Sequence, residues 1–418
     1  MLPQDSNPLT RCGIDSVEIA RIERLLRETH ADDLAKIFSR EELHDCDENG
    51  GRAARLAARF AAKEACLKLF PRETALVTIG LADSAVTRDG YGAPRVVCSS
   101  TAMELLDRYR VKTIALSLTH DKTSASAVAV TEPAHIDVPL SGALIYHLLP
   151  IRRGVVLGNL QRVFGTVTST EIKRLAQAHY AHLARLLNEF LTARWRPPTV
   201  RVENIEAILQ AHAQGKGVLV LTGHFGNWEV ATIGGIAKFP QYRGQFHFVR
   251  RPLRPRWLDR LVTRRFRRGG FGVLPKRGAL DAILDRLAAG DAVVFVLDQH
   301  AGGRDGVAVD FFGHPAGTFR SLAILALATG APVVPTATWR EPDGSHVLRF
   351  EEALPLIEHE DTNEAIRANT RAYNAALERL VLRHPEQWFW VHRRWKRAAQ
   401  QTLFDPALKK VEPTQSER

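Results

Sequence analysis

A histidine and a glutamate, five positions apart, follow an apolar segment near the middle of the chain. His224 and Glu229 belong to Gly-His-Phe-Gly-Asn-Trp-Glu, which comes directly after residues 218–222. This order predicts a strand, a tight turn and a helix whose first turn favours a carboxylate. At such a turn a neutral imidazole can take a proton from a hydroxyl that attacks a thioester carbonyl. The motif alone makes His224 a candidate general base that Glu229 would orient, with a structural histidine as the alternative until the surrounding motifs are considered.

A second group of residues with chemical potential lies near the N-terminus. Asp15 ends a predicted strand, and Glu64 lies in a predicted helix over residues 51–69. Two carboxylates are a typical protein contribution to a Mg²⁺ site, where water and substrate phosphates supply the other ligands. Lys68 follows Glu64 by four residues and therefore shares its helix face. These residues predict a site for Mg²⁺ and a pyrophosphate.

The elements that position these residues require more than one domain, because 418 residues exceed the usual size of a single core. We predict a first domain over 1–133, a proline-bearing linker over 134–144, a second domain over 145–398 and a polar tail over 399–418. Short strands mixed with helices predict an N-terminal α+β fold. Repeated strand-then-helix units predict a C-terminal α/β fold, with a sheet flanked by helices.

Four motifs occur in order within the first domain. They are Gly-Ile-Asp-x-Val-Glu-Ile (13–19), Arg-Phe-Ala-Ala-Lys-Glu-Ala-x-x-Lys (59–68), Asp-Gly-x-Gly-x-Pro (89–94) and Ser-Leu-Thr-His-Asp (117–121). Over residues 10–131 the chain resembles the holo-acyl-carrier-protein synthase branch of the 4′-phosphopantetheinyl transferases. That family moves phosphopantetheine from coenzyme A to a carrier serine, releases 3′,5′-ADP and often forms trimers.

The resemblance also implies roles for individual residues of this chain. Asp15 and Glu64 would hold Mg²⁺, and the coenzyme A phosphates would lie among Lys63, Lys68, Ser117 and His120. The chain departs from the family at Ala93, where Lys or Arg is frequent, and over residues 69–73, where glycine is usual. An inactive module that only docks the carrier protein therefore remains an alternative.

The second domain carries a further series of motifs. These are Leu149-Pro-Ile-Arg-Arg, Asp298-Gln-His300, the Gly/Phe-containing segment 306–318 and Pro385-Glu-Gln-Trp-Phe-Trp390. Residues 145–398 resemble the late lipid A acyltransferases, the lauroyl/myristoyl branch of the lysophospholipid acyltransferase group. The resemblance implies transfer of an acyl group from acyl carrier protein to a lipid or glycolipid, with His224 as base and Glu229 as its partner. Segment 306–318 would line the substrate cleft, and Arg250 and Arg251 are candidates for contacts to an anion or oxyanion.

Charge is distributed unevenly between the two halves. Residues 1–133 hold 18 basic and 20 acidic residues, whereas residues 243–277 hold twelve basic residues and one acid, Asp259. Such a patch favours an anionic membrane surface, with Trp257 and Phe266 as apolar contacts. No recognised nucleic-acid module accompanies the patch, so we expect no nucleic-acid partner.

No apolar run is long enough to predict a membrane-spanning helix, and the N-terminus has no apolar export signal. We therefore expect a cytoplasmic protein bound peripherally to the cytoplasmic face of the inner membrane. The four cysteines form no Cys-x-x-Cys pair and predict reduced thiols.

Together these features predict a bifunctional enzyme that primes a carrier protein and then moves an acyl group from it. Two alternatives remain at this stage. One is an acyltransferase with an inactive carrier-docking module, and the other is a basic membrane-surface scaffold without catalysis. The sequence leaves open the acyl acceptor, the chain length, the oligomeric state and the choice between carrier protein and coenzyme A as acyl donor.

Overall fold

The structure, a computed structural model, contains two compact units. It describes residues 11–46, 51–70, 78–133, 136–149, 151–165, 167–192, 195, 198–250, 252, 254–275 and 278–396. Arg251 and the predicted tail 399–418 lie outside these residues. One unit comprises residues 1–137 with 164–172, and the other comprises 138–163 with 173–418.

The first unit is built on a three-stranded antiparallel sheet of order β1-β5-β4 and a separate hairpin of β2 and β3. Its strands are β1 (Cys12–Glu18), β2 (Ser84–Arg88), β3 (Pro94–Cys98), β4 (Val111–His120) and β5 (Ser124–Pro133). Its helices are α1 (Ile19–Glu28), α2 (Ala31–Leu34), α3 (Arg40–Asp45), α4 (Arg52–Leu67) and α5 (Ser100–Arg108).

Helix α4 packs closely on this sheet because its buried face is made of small residues. Ala57, Ala61 and Ala65 follow one another at intervals of four and are fully buried. A Cβ on Gly13 of β1 would lie 2.0 Å from the Ala65 carbonyl oxygen, so only glycine permits this approach. The close contact positions Asp15, two residues further along β1, beside the C-terminal turn of α4.

The second unit contains more helix and one large sheet. Its helices are α6 (Leu140–Leu148), α7 (Arg153–Val163), α8 (Ser169–Thr192), α9 (Ile205–His212), α10 (Trp228–Ile236), α11 (Arg256–Gly269), α12 (Leu280–Ala288), α13 (Ser321–Thr329) and α14 (Thr362–Arg383). Its strands are β6 (Val200–Glu203), β7 (Val218–Thr222), β8 (Phe246–Arg250), β9 (Phe271–Pro275), β10 (Ala292–Val296), β11 (Gly306–Phe311), β12 (His314–Phe319), β13 (Val333–Arg340) and β14 (His346–Phe350).

Seven of these strands form the sheet, in the order β6-β14-β13-β7-β10-β8-β9. All neighbouring pairs are parallel except β13 and β14. The predicted α/β class is confirmed, and the carboxyl ends of β7 and β10 lie side by side, with Val296 opposite Thr222. His224 and Asp298 each follow these strand ends by two residues. Helix α6 begins at Leu140, within the segment predicted as a linker.

Among the described residues, no helix combines the length and the apolar character needed to cross a bilayer.

Candidate functional sites

The turn between β7 and α10 holds His224 at the end of the sheet. Gly226 has a positive φ of 49°, and a Cβ there would lie 2.5 Å from the Thr338 carbonyl oxygen. Only glycine accommodates both the conformation and the approach. Asn227 then caps α10 by accepting a hydrogen bond from the Val230 amide at 3.2 Å. The turn is thus fixed on both sides of the functional motif.

Asp298 holds His224 through two hydrogen bonds, one with the imidazole and one from the backbone amide. Its Oδ1 lies 2.8 Å from His224 Nδ1, and its Oδ2 accepts from the His224 amide at 2.7 Å. The indole Nε1 of Trp388 donates to the same Oδ2 at 2.8 Å. Asp298 is 3% exposed. Because Nδ1 donates to Asp298, the neutral ring presents Nε2 as a proton acceptor, 3.4 Å from Gln299 Nε2.

The contact changes the ionisation of both residues. Burial would lower the pKa of His224, but the negative charge and hydrogen bond of Asp298 raise it above the ordinary histidine value. Burial opposes ionisation of Asp298, yet its bonds from His224 and Trp388 hold the pKa at about 2. Asp298 therefore stays ionised at neutral pH and stabilises a protonated His224.

Glu229 does not occupy the position predicted for it. Its Oε1 lies 3.2 Å from Nη1 of Arg265, and the partner of His224 Nδ1 is Asp298. The helix turns Glu229 toward α11, whereas Asp298 reaches His224 from the neighbouring strand. Burial raises the pKa of Glu229, although Arg265 and Arg250 oppose the shift. The predicted His224–Glu229 pairing is thus corrected to His224–Asp298.

An ion pair between α8 and β13 lies next to this turn. Glu189 of α8 makes a two-pronged contact with Arg340 of β13, at 2.6 Å to Nε and 2.7 Å to Nη2. The Asn227 side chain donates to the same carboxylate at 2.7 Å. The network therefore ties the helix cap beside His224 to the sheet and to α8.

An apolar cavity of about 450 Å³ begins at His224 and follows one face of the sheet. Alternate residues of neighbouring strands line it, including Val218, Val220 and Thr222 of β7, Phe248 of β8, and Val294 and Val296 of β10. Side chains of α9, α10 and α11 cover the opposite side. Because most of the lining is hydrocarbon and polar groups such as Gln299 lie beside His224, the cavity suits an extended apolar chain with a reactive end at His224.

Arg250, predicted to contact an anion or oxyanion, lines this cavity but is already paired with other residues. It donates to Asp259 at 2.6 Å and to Thr263 at 2.8 Å. Phe266, predicted to contact a membrane, is instead 1% exposed and stacks on Trp228 with ring centroids 5.5 Å apart. That prediction is wrong because Phe266 lies on the face of α11 that packs on the sheet.

The surface of α11 retains the predicted basic character. Six exposed arginines belong to this helix or the residues before it: Arg254, Arg256, Arg260, Arg264, Arg267 and Arg268. Trp257 is 64% exposed and Leu261 is 42% exposed. Being four residues apart, these two apolar side chains share a face of the helix.

In the first unit, the structure brings Asp15 and Lys68 together. Lys68 Nζ donates to Asp15 Oδ1 at 2.7 Å and to the Ile14 carbonyl at 2.9 Å. Glu64 is half-buried and lies one helical turn before Lys68 on α4. Among the described residues, no cluster of three or more His, Cys, Asp and Glu side chains offers a complete metal site. Two carboxylates nevertheless fit Mg²⁺, whose remaining ligands are usually water and phosphate oxygens.

Lys63 does not lie where the resemblance implied. Its ammonium is fully buried, 2.8 Å from Glu42 Oε2, and donates to the carbonyls of Leu81 and Ser84. Glu42 also forms a capping box with Ser39 at the start of α3. Since these partners satisfy Lys63 within the core, and burial lowers its pKa, the residue links α4 to α3 and β2 rather than contacting a phosphate.

Ser117 and His120 are both exposed on β4 and line a shallow cavity of about 310 Å³. The other lining residues include Arg55, Arg88, Gly92 and Pro94. The cavity combines hydroxyl, imidazole and guanidinium groups, which suit a phosphorylated ligand. The departure at Ala93 falls in the turn between β2 and β3, beside this cavity.

Asp298 is the functional residue that sequence reasoning failed to assign. The motif Asp298-Gln-His300 follows the apolar strand β10, and this position was the available signal. Carboxyl ends of adjacent parallel strands meet at one sheet edge, but the sequence does not show that β7 and β10 are neighbours.

Comparisons with known proteins identify both units. A model of the family described as bacterial lipid A biosynthesis acyltransferase matches residues 140–397, and one for the 4′-phosphopantetheinyl transferase superfamily matches residues 11–128. Both predicted resemblances are therefore confirmed.

Individual relatives resemble one part of the chain each. A holo-[acyl-carrier-protein] synthase of Treponema denticola is 41% identical over 121 residues, covering 29% of this chain and 95% of that protein. A phosphatidylinositol mannoside acyltransferase of Mycobacterium tuberculosis is 28% identical over 229 residues, covering 54% of this chain and 66% of that protein. The structure of Helicobacter pylori holo-[acyl-carrier-protein] synthase with coenzyme A is 28% identical, covers 29% of this chain and 99% of that one, and has a TM-score of 0.25.

Proposed function

Because the chain belongs to the bacterial lipid A biosynthesis acyltransferase family and carries a 4′-phosphopantetheinyl transferase domain, we propose that its two units act in succession on one carrier protein. The chain is an enzyme with two transferase domains. The first would attach phosphopantetheine to an acyl carrier protein. The second would move an acyl group from the loaded carrier to a hydroxyl of a lipid or glycolipid. Joining the domains would raise the local concentration of carrier at both.

The observation that carries the acyltransferase proposal is the His224–Asp298 pair at the mouth of an apolar cavity. The cavity would hold the acyl chain with its thioester carbonyl beside His224. Nε2 of His224 would take the proton of the acceptor hydroxyl as its oxygen attacks that carbonyl. The protonated ring, stabilised by Asp298, would then give the proton to the departing thiolate. An ester and the free carrier thiol result, so atoms and charge balance.

The first unit would carry out phosphoryl-group chemistry. Asp15 and Glu64 would hold Mg²⁺, which would neutralise charge on the pyrophosphate of coenzyme A. Lys68, already directed at Asp15, would bind the same phosphates, and Ser117 and His120 would line the nucleotide side. The carrier serine oxygen would form a bond to phosphorus as 3′,5′-ADP leaves. Trimers would form through this unit, as the family resemblance suggests.

The surface of α11 would dock the enzyme on an anionic membrane. Exposed arginines would contact lipid phosphates while Trp257 and Leu261 enter the interface. This arrangement suits a lipid acceptor and a peripheral position at the cytoplasmic face of the inner membrane.

Two mass measurements test the proposal. Apo-carrier, coenzyme A and Mg²⁺ are incubated with the enzyme, and the carrier should gain the mass of one phosphopantetheine arm. Separately, acyl-loaded carrier and a panel of lipid acceptors should yield acylated lipid. A carrier of unchanged mass, in a reaction where acyl transfer proceeds, would favour the inactive docking module. A failure of both reactions would reject the proposal.

A further inference from the structure

The side chain of Gln299 faces the proton-accepting nitrogen of His224. Gln299 Nε2 lies 3.4 Å from His224 Nε2, and both residues line the apolar cavity. Gln299 is half-buried, and 27% of the His224 side chain is exposed. A ligand at this end of the cavity can therefore reach the imidazole and the amide beside it.

The hydrogen bonds of His224 determine which end of the Gln299 amide faces the imidazole. Both oxygens of the ionised Asp298 carboxylate are acceptors, so His224 Nδ1 carries the hydrogen and Nε2 presents a lone pair. The NH₂ group of Gln299 can donate to that lone pair, whereas the carbonyl oxygen would be repelled by it. At 3.4 Å this bond is longer than the usual distance of about 2.9–3.0 Å, so a better partner can displace it.

The backbone around Gln299 is held without help from its side chain. The amide of Leu297 donates to the Thr222 carbonyl at 2.9 Å, and the amide of Ala301 donates to the Gly317 carbonyl at 3.0 Å. These bonds fix the chain on both sides of Gln299. The side-chain amide is thus not needed to hold the loop and is available to a ligand.

We propose that Gln299 binds the oxygen of the acceptor hydroxyl and holds it against His224. Two nitrogens 3.4 Å apart leave positions at which one oxygen lies within about 3 Å of both. There the hydroxyl would donate to His224 Nε2 and accept from the Gln299 amide through one lone pair, while its second lone pair attacks the thioester carbonyl. The proton passes to Nε2 and then to the departing thiolate, and Gln299 gains or loses none. The inference rests on the proposed acyltransferase function and names a binding residue for its acceptor.

Steady-state kinetics of acyl transfer tests this role. Gln299→Met keeps the size of the side chain but removes the amide, and should raise the KM for the lipid acceptor by about two- to tenfold, the effect of one hydrogen bond. The KM for the acyl carrier should stay unchanged. Gln241→Met makes the same change at an exposed residue outside the cavity lining and should match the wild type. An unchanged acceptor KM in Gln299→Met, or an equal rise in both KM values, would overturn the inference.

The pH profile separates a contact with His224 from a general effect on the fold. The amide stabilises the neutral imidazole by donating to it, so its removal should raise the pKa of His224. Acyl transfer by Gln299→Met should therefore begin to rise at a higher pH than in the wild type, and the carboxylate of Gln299→Glu should move this ionisation further. Asp298 and His392 also act on His224, but Asp298 is already ionised and burial lowers the pKa of His392 to about 4, so neither titrates in this range. An ionisation at the wild-type pH in both variants would overturn the inference.

Binding of a simple alcohol separates this inference from the proposed function. Decanol, which carries one hydroxyl on an apolar chain, displaces a fluorescent fatty acid from the full-length protein without turnover. Gln299→Met should weaken decanol binding by about two- to tenfold, and Gln241→Met should not. This loss, without any acyl transfer by the wild type, would reject the proposed function and support the inference. Equal decanol binding by the wild type and Gln299→Met would overturn the inference, and acyl transfer by the wild type would then leave the proposed function standing.

Discussion

The two sites on this chain differ in how completely the protein forms them. In the second unit, Asp298 is 3% exposed and receives three hydrogen bonds that fix His224. In the first unit, the Asp15–Lys68 pair is accessible, with side chains 19% and 49% exposed, and Ser117 and His120 lie on the surface. The site in the second unit is organised before any substrate arrives. In the first unit, the accessible Asp15–Lys68 pair is not part of the lining of the shallow cavity that holds Ser117 and His120.

The difference follows from the chemistry each site would perform. General-base catalysis depends on a side chain held at hydrogen-bond distance from the proton it removes. Phosphoryl transfer depends mainly on charge and positioning, which Mg²⁺ and the substrate phosphates partly supply. Substitutions in the buried site should therefore act through geometry and ionisation, and those in the exposed site through ligand binding.

The largest effect is expected at the exposed site. Asp15→Ala and Glu64→Ala should each abolish priming of the carrier, because each would remove one of the two carboxylates that we propose as ligands for Mg²⁺. The mass of the carrier after reaction measures this. Asp33→Ala, which removes a surface carboxylate paired with Lys36, is the matched control and should prime normally. Persisting activity in both site variants would show that the metal is held elsewhere.

The next largest effect is expected for the buried orienting residue. Asp298→Asn should lower the acyl-transfer rate by about 10²–10⁴, since a neutral amide neither fixes the tautomer of His224 nor stabilises its charged form. Asp291→Asn offers a matched control, because Asp291 pairs with His247 at 2.8 Å elsewhere in the same sheet. Similar losses in the two variants would point to folding rather than catalysis.

The pH dependence sharpens the assignment of His224. Its raised pKa means that acyl transfer should rise with pH through an ionisation above the ordinary value of about 6.5. In Asp298→Asn the pKa of His224 should fall, because burial then acts without the opposing carboxylate. The residual rate should therefore begin to rise at a lower pH than in the wild type. Glu229→Gln should leave this ionisation nearly in place. A larger shift in Glu229→Gln than in Asp298→Asn would restore the original pairing.

The stability of the second unit should depend on pH because two of its histidines are buried. Burial lowers the pKa of His179 to about 4 and that of His182, with a smaller contribution from neighbouring charges, to about 3. The unfolded chain binds these protons near pH 6.5, so protonation favours unfolding. The second unit should lose stability as the pH falls from about 6.5 toward 4. Denaturation followed by tryptophan fluorescence tests this, since all seven tryptophans lie beyond residue 133. Unchanged stability over this range would contradict it.

The smallest effect is expected at the membrane surface. Arg264, Arg267 and Arg268 changed to Gln should weaken binding to anionic vesicles, and salt should weaken wild-type binding in the same way. Arg265 is left intact because it pairs with Glu229. Co-sedimentation with anionic and neutral vesicles measures the effect. Equal wild-type binding to both kinds of vesicle would exclude electrostatic docking.

The sequence alone was enough to predict local features of the fold. Strand β7, the turn after it and the helix from Trp228 were predicted from residues that lie together in the chain. The partner of His224 was not, because Asp298 reaches it only through the order of strands in the sheet.

Lys63 and Phe266 show a second kind of failure. Lysine and phenylalanine each occur on exposed and on buried faces of helices. Helical spacing alone does not determine which face of a helix packs on the sheet. Lys63 is buried because Glu42 and two carbonyls satisfy its charge. These partners come from α3, from Leu81 before β2 and from Ser84 at the start of β2, distant elements that no spacing rule connects to α4.

The central claim is that two independent sites occupy one chain, and a crossed comparison tests it most directly. His224→Ala and Asp15→Ala are each assayed for carrier priming and for acyl transfer from a preloaded carrier. We expect His224→Ala to prime at the wild-type rate and lose acyl transfer by about 10²–10⁴, and Asp15→Ala to show the reverse. Acyl transfer at the wild-type rate in His224→Ala, or loss of both activities in either folded variant, would contradict the account.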